Sequence, residues 1–239
     1  MGSDGSDWVQ VTRKGKRRAA PIIPDVLRPN PNPEFSVNDI LSYHNSLLRN
    51  AQTIDWWKGL GPVVHSASSK PGSLPRITKA ICLGTGPYEP ENGSITARKT
   101  AHMQTATFRH IVHHLESLSG QKIKCYIQEP RFTQADKDFC SELGLEAVDS
   151  PEGFSLVDGE ALLFGIHMEL EIYNQALAGQ LPAVYIGSSL QEWENILGSD
   201  PQHDDQLKAF CEMAEKYHKY DFPDFEYMFS STVMYWRKG

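Results

Sequence analysis

Long apolar runs are missing from this sequence: no stretch approaches the roughly 18 residues that a helix needs to cross a bilayer. The first ten residues, MGSDGSDWVQ, also lack the basic start and the apolar middle of a secretory signal. We therefore expect a protein without a membrane partner, located in the cytoplasm, in the nucleus or in both.

Cysteine is scarce, and its spacing shows no CxxC motif. Three of the four cysteines lie in or beside apolar runs: Cys82, Cys125 and Cys140, with Cys211 as the fourth. This placement favours buried free thiols over disulfides or metal ligands. It agrees with an intracellular location, and we expect neither a metal nor a cofactor.

An excess of positive charge is missing too, since the formal net charge is -7. A general nucleic-acid binder needs a basic face that neutralises phosphates, so this class is disfavoured. One local basic cluster stands out in TRKGKRR, formed by Arg13, Lys14, Lys16, Arg17 and Arg18. The cluster is suited to a nuclear address or an RNA-contacting arm, and it is equally typical of a solvated tail.

Five prolines follow this cluster within residues 21–33, which favours an extended linker because proline builds neither helix nor sheet. We therefore predict a disordered tail over residues 1–34 and a single domain over 35–239. Ser36 and Asp39 predict the capped start of an amphipathic helix. Residues 35–75 are expected to form a helical extension that ends in a polar loop, and residues 76–239 a sheet core.

From residue 77 onward, short apolar runs alternate with helical patterns. Strands are predicted near 80–83, 123–127, 146–148, 161–167 and 183–186, and helices near 97–118, 134–143, 169–178, 189–197 and 203–220. This alternation predicts a three-layer, Rossmann-like α/β fold with a mostly parallel sheet flanked by helices. Residues 227–236 alternate enough to predict an added strand, antiparallel and at an edge of the sheet.

The first predicted strand stops at Gly84, Thr85 and Gly86, which we call the glycine turn. In a doubly wound sheet, ligands bind beyond the carboxyl ends of the strands, so this turn is expected to line a site. A dinucleotide fingerprint requires a third glycine and a helix directly after it. Glu89 occupies that position, and the next helix is delayed, so a site for NAD or FAD is disfavoured.

The second predicted strand ends at Gln128 and Glu129, followed by Pro130 and Phe132. If the two strands are neighbours, Glu129 lies beside the glycine turn. Its carboxylate is suited to act as a general base or to hold an amine or guanidinium, and equally to brace a loop. Both interpretations remain open at this stage.

Three further features are candidates for the same edge of the sheet. His167 ends another apolar strand and is suited to acid–base or hydrogen-bonding roles, although a structural histidine is the alternative. Gly187 and Ser188 precede a helix and are suited either to anion binding or to capping. Gln104 is an amide on the apolar face of its helix and needs a partner, in the protein or in a ligand.

Four histidines on the same predicted helix resemble a metal cluster, namely His102, His110, His113 and His114. A helical wheel places them opposite the apolar stripe, and no Cys or Asp completes a tetrahedral ligand set. They are therefore expected to lie on a solvated face.

Several motifs together resemble the SRR-like domain family, named after a plant protein called Sensitivity to Red Light Reduced. They are AICLGTG, AHMQTATFRHIVHHL, CYIQEPRFTQADKDFCSELG, SPEGFSLVDGEALLFGIH and LPAVYIGSSLQEW. The segment from Trp8 to Arg18 and the SVNDILSYHNSLL helix are similar to fungal members. The resemblance implies a regulatory α/β module that binds a small ligand or a partner; family members are associated with circadian and light signalling, haem metabolism and microtubule phenotypes.

A ligand site implied at the strand ends would use Gly84, Thr85, Gly86, Gln104, Gln128, Pro130, Phe132, Gly187 and Ser188. The resemblance also brings an alternative, because fungal arginine-containing cyclodipeptide synthases, which condense aminoacyl-tRNAs, are similar to this family. In such an enzyme Glu129 would hold arginine bidentately and His167 would share the catalytic site. The basic cluster would then contact tRNA.

Overall fold

The computed structural model describes residues 36–68, 75–198 and 203–238. The tail predicted over residues 1–34, with its basic cluster, lies outside the described residues, and its role stays a prediction. Across the described ranges, every helix is too short or too polar to span a bilayer. The division into a tail and one domain also stays a prediction.

The described residues form one seven-stranded sheet with the order β3-β2-β1-β4-β5-β7-β6. Its strands are β1 (Lys79–Leu83), β2 (Lys124–Gln128), β3 (Glu146–Ala147), β4 (Ala161–Gly165), β5 (Val184–Ser188), β6 (Tyr217–Asp221) and β7 (Thr232–Arg237). The first five strands run parallel, and β7 pairs antiparallel with both β5 and β6. The mostly parallel α/β fold predicted from the sequence is confirmed.

Eight helices flank this sheet within the described ranges. They are α1 (Val37–Leu48), α2 (Ala51–Ser68), α3 (Ile95–Ser119), α4 (Gln134–Glu142), α5 (Glu152–Ser155), α6 (Leu170–Ala176), α7 (Leu190–Leu197) and α8 (Asp204–Lys216). As predicted, Ser36 and Asp39 form a capping box at the start of α1.

Each face of the sheet is covered by its own hydrophobic core. Helices α1–α4 pack on the face that contains Ala80 and Cys82, whereas α5–α8 pack on the face that contains Ile81 and Leu83. Successive side chains of β1 thus alternate between two apolar environments. Burial on both faces explains why the parallel strands read as continuous apolar runs in the sequence.

Two predictions near the end of the chain are wrong in part. The helix predicted over 203–220 ends at Lys216, because Tyr217–Asp221 pairs with β7 along its whole length. Tyr217 is buried there and donates a hydrogen bond of 2.6 Å to the Pro182 carbonyl. The strand predicted over 227–236 begins only at Thr232; it is antiparallel as expected, but it lies inside the sheet, and β6 forms the edge.

The polar loop predicted over residues 65–75 is also wrong in its first part, since α2 continues to Ser68. The middle of the loop lies outside the described residues. The sequence pattern does not reveal the boundaries of α2, because Gly59, Gly61 and Pro62 interrupt its helical periodicity.

His102 is the clearest departure from the helical wheel, because it is fully buried rather than solvated. Helices α1 and α4 cover the outer face of α3 at this point. The Nδ1 atom of His102 lies 3.1 Å from Nδ1 of His44 on α1, and Phe139 of α4 packs edge-on against both rings. No cluster of three or more potential metal ligands occurs within the described residues.

Candidate functional site

A cavity of about 410 Å³ opens at the carboxyl ends of β1, β2 and β4. We call it the carboxyl-end cavity. Its wall is formed by residues 84–87 and 90–92, by Ala97, Thr100 and Gln104 of α3, by Glu129 and Arg131 after β2, and by Ile166 and His167 after β4. The strand order reverses between β1 and β4, and this switch point is where doubly wound sheets bind ligands.

The glycine turn forms one wall of this cavity in a backbone conformation that side chains disfavour. Gly84 and Gly86 have φ angles of 70° and 79°. At Gly84 an added Cβ would also meet the Met168 side chain at 3.1 Å. The backbone conformation thus favours glycine at both positions, and the bare backbone lets other groups approach the turn closely.

Glu129 fixes the glycine turn in place. One carboxylate oxygen, Oε2, accepts a hydrogen bond of 2.9 Å from the Gly86 N–H group, and the other, Oε1, accepts one of 3.0 Å from the Arg131 N–H group. The Arg131 Nε atom lies 3.5 Å from Oε1, and the Glu129 side chain is only 7% exposed. The carboxylate therefore braces two loops, which is one of the two roles that the sequence left open.

Gln104 contributes an amide to the cavity wall from the middle of α3. It lies on one stripe of the helix with Ala97 and Thr100, at the spacing that places side chains on the same face. The residue is 3% exposed, yet its side chain makes no hydrogen bond to any described residue. A buried amide of this kind normally has a partner, so a ligand is the natural candidate.

His167 lies on the opposite wall, just after β4, with a φ angle of 54°. Its Nε2 atom is 2.8 Å from the Ser230 carbonyl oxygen. A carbonyl oxygen can only accept, so Nε2 carries the proton in this contact. In the neutral ring Nδ1 then holds the lone pair and is an acceptor for a partner.

Asp136 ties the segment after the glycine turn to helix α4. Its Oδ2 accepts hydrogen bonds from the backbone N–H and the hydroxyl of Thr133, in the capping box predicted from the sequence, and its Oδ1 accepts one of 3.2 Å from the Tyr88 N–H group. Burial raises the pKa of this carboxyl, although the bonds from Thr133 and Tyr88 oppose the rise. Tyr88 is itself buried and bonded to Thr105, so the cavity's outer loop has a rigid base.

Several residues predicted for the site do not line the cavity. Gln128 turns away and accepts a hydrogen bond of 2.7 Å from the Gly153 N–H group, and Phe132 stacks on the Tyr88 ring. Pro130 lies between the two wall residues Glu129 and Arg131 without lining the cavity. Ser188 contacts α6, where its N–H group donates to the Tyr173 hydroxyl; Gly187 lies against the Tyr185 hydroxyl and the Gly165 carbonyl, and Ser189 caps α7.

The cavity also includes residues that sequence reasoning missed, chiefly Thr100 and Arg131. Thr100 lies four residues before Gln104, so the i,i+4 spacing was a usable signal. Arg131 follows Glu129 by two residues in a loop, where no sequence periodicity indicates which way a side chain points. Of the residues proposed from the sequence, six line this one cavity: Gly84, Thr85, Gly86, Gln104, Glu129 and His167.

Fold and cavity together define the class of this molecule: a doubly wound α/β domain with a polar cavity at its switch point. The model of the SRR1 domain matches residues 58–236, which is most of the chain, and the chain belongs to this family. The resemblance to the SRR-like domain is thereby confirmed, whereas α1 and the start of α2 precede the matched segment. No curated protein matches the sequence.

Proposed function

We propose that this SRR1-domain protein is a small-ligand-binding regulatory module whose ligand occupies the carboxyl-end cavity. The proposal rests on the position of the cavity at the topological switch point, where four separate segments of the chain supply its polar wall. Its volume of about 410 Å³ lies in the range of small-molecule sites. We expect the module to act in the cytoplasm or the nucleus.

The chemistry of the wall favours binding over turnover. The hydroxyl groups among the described wall residues belong to threonines, Thr85 and Thr100, and Thr85 already donates to the Gly86 carbonyl at 3.2 Å. His167 contacts a backbone carbonyl, not a hydroxyl of this wall. A nucleophile activated by an adjacent base, which covalent catalysis requires, is therefore missing from the described wall.

A second candidate function is the aminoacyl-tRNA-dependent synthesis of arginine-containing cyclic dipeptides. It is favoured by the presence of Glu129 and His167 in one cavity. It requires the Glu129 carboxylate to hold a guanidinium, and both oxygens already accept backbone N–H groups, so the binding module is better supported. Mass spectrometry of extracts from an expressing host separates the two: an arginine-containing cyclic dipeptide that disappears with Glu129→Ala would establish the enzyme.

Filling the cavity is expected to abolish ligand binding without unfolding the domain. Thr100 is half-buried on the wall, and the substitution Thr100→Trp places an indole in the open volume. We expect ligand-observed NMR with a library of small polar fragments to find several that bind the wild type. Those fragments should lose their signal with Thr100→Trp.

Ser117→Trp is the matched control, because Ser117 lies near the other end of the same helix, is exposed and does not line the cavity. Fragment binding should survive this change. The proposal would be wrong if fragments bound the two variants equally well, or if none bound the wild type.

A further inference from the structure

We propose that the ligand of the carboxyl-end cavity is a nucleoside 5′-monophosphate, with its phosphate near the start of α3 and Arg131 and its base against Gln104. This assignment rests on the proposed binding function and names the class of ligand. It is carried by an unpartnered buried amide at one end of the cavity and by groups suited to an anion at the other.

The Gln104 amide is the first of these observations. The residue is 3% exposed and lines the cavity, and among the described residues its side chain has no hydrogen-bond partner. An amide offers one acceptor and two donors in a plane, which matches the edge of a nucleobase; glutamine pairs in this way with N6 and N7 of adenine. A simple anion could accept hydrogen bonds from the Gln104 amide N–H groups, but it would leave the amide oxygen without a donor.

The start of α3 is the second observation. This helix has 25 residues, and the positive end of its dipole lies at its first turn, where Ala97 lines the cavity. The Ala97 N–H group bonds the hydroxyl of the Ser94 cap, and Ile95 and Thr96 do not line the cavity. The contribution of α3 is therefore the positive end of its dipole, which favours an anion at this position.

Arg131 supplies the positive charge of the cavity wall. Its Nε atom faces Glu129, while its terminal Nη2 atom lies beside the glycine turn, 3.6 Å from the position that a Gly86 Cβ would occupy. Neither terminal nitrogen donates a hydrogen bond to a described residue. Two guanidinium N–H groups are therefore available for a phosphate, which arginine binds in bidentate fashion.

Two carboxylates share the wall, and neither prevents an anion from binding. The charge of Glu129 is compensated by Arg131 and by two backbone N–H groups. Glu91 is exposed, so water and salt screen its charge.

The distance between the two ends sets the size of the ligand. Ala97 and Gln104 are seven residues apart, which corresponds to about 10 Å along a helix, and the Gln104 side chain leans back toward the start of α3. One nucleotide spans this distance, whereas inorganic phosphate does not. A dinucleotide is disfavoured, because eight residues separate Gly86 from Ile95 and the third glycine of its fingerprint is absent.

Isothermal titration of the purified full chain with AMP, GMP, CMP and UMP tests this assignment. We expect at least one monophosphate to bind, and its nucleoside and inorganic phosphate to bind at least ~10-fold more weakly because each lacks one of the two anchors; free arginine, which lacks both, should bind at least as weakly. Gln104→Leu should weaken the monophosphate ~10-fold or more. Arg131→Gln should have an effect of similar size, since it removes a charge-assisted contact.

Arg109→Gln is the matched control, because Arg109 is exposed on α3 and does not line the cavity. Gln104→Leu should also leave the melting temperature unchanged or raise it, since it removes an amide without a protein partner; a structural glutamine would lower it. If Gln104→Leu fails to fold, the affinity of Arg131→Gln for the monophosphate tests the assignment instead, because Arg131 lies at the protein surface and its substitution should leave the fold intact.

The assignment is overturned if no monophosphate binds, if arginine binds more tightly than every monophosphate, or if Gln104→Leu or Arg131→Gln binds as the wild type does. Fragment binding that Thr100→Trp abolishes, together with no response to any monophosphate, would leave the binding function standing and remove only this assignment.

Discussion

Lowering the pH from 7.5 to 5.0 should reduce the free energy of unfolding by about 2 kcal/mol through His44, with a further loss through His102. Burial, with a smaller contribution from Arg109, lowers the pKa of His44 to about 4. Burial, followed by the charges of His44 and Arg98, holds the pKa of His102 well below its usual value. Both imidazole rings are therefore neutral in the folded protein at pH 7.5.

The direction follows from proton binding in the two states. In the unfolded chain both histidines bind a proton near pH 6.5, whereas in the folded chain they remain neutral far below this pH. The unfolded state thus takes up more protons as the pH falls. The stability is complete above pH 6.5 and is lost progressively toward pH 4, and the contribution of His44 to this loss is about 2 kcal/mol by pH 5.

Urea unfolding followed by tryptophan fluorescence at four pH values between 7.5 and 5.0 measures this loss. His44→Asn keeps an acceptor or donor close to the position of Nδ1 and cannot titrate, so it should remove the contribution of His44 to the pH dependence. His113→Asn is the control, because His113 is exposed on the same helix as His102. A His44→Asn variant with the full wild-type pH dependence would contradict the buried neutral pair.

Glu129→Ala should reduce the free energy of unfolding by about 1–2 kcal/mol, because it removes the acceptor of two N–H groups, one of them part-buried and the other exposed to water. Those groups belong to Gly86 and Arg131, so both loops that form the cavity lose their brace. Glu129→Gln should have a smaller effect, since its amide oxygen still accepts from one of them. Chemical denaturation at pH 7.5 measures the stability, and the amide NMR signal of Gly86 reports the turn itself.

Glu142→Ala is the matched control for this prediction. Glu142 is exposed on α4, and a surface change of this kind usually alters stability by less than about 0.5 kcal/mol. If Glu129→Ala were as stable as Glu142→Ala and kept the Gly86 signal in place, the bracing role of Glu129 would be wrong. Fragment binding should fall with Glu129→Ala as well, because the cavity wall is no longer held.

The parallel part of the sheet could be predicted because its signals are local. Each strand from β1 to β5 is a short apolar run between polar segments, and its neighbours follow from the alternation with helices. Adjacent parallel strands end together, so Leu83 of β1 pairs with Gln128 of β2, and the next residues form the glycine turn and Glu129. This rule brought the glycine turn, Glu129 and His167 to one cavity without any knowledge of side-chain contacts.

The misplaced elements depend on contacts that are distant in sequence. Tyr217–Asp221 continues the helical pattern of α8, and only its pairing with β7 makes it a strand. His102 lies opposite the apolar stripe of α3, and it is buried because α1, more than fifty residues earlier, packs over it. Gln128 is the last residue of β2 and directly precedes Glu129, yet successive residues of a strand point to opposite faces, and the Gly153 N–H group holds the Gln128 side chain on the other side.

The interior position of β7 has a consequence for how the chain acquires its structure. Five residue pairs join β7 to β5, whose Val184, Tyr185 and Ile186 are fully buried in the completed sheet. During synthesis β5 emerges well before residues 232–237, so its edge stays open and apolar until the last strand inserts. An open edge of this kind is a template for pairing with other chains. Truncation before Thr232 should therefore yield aggregates rather than a smaller folded domain.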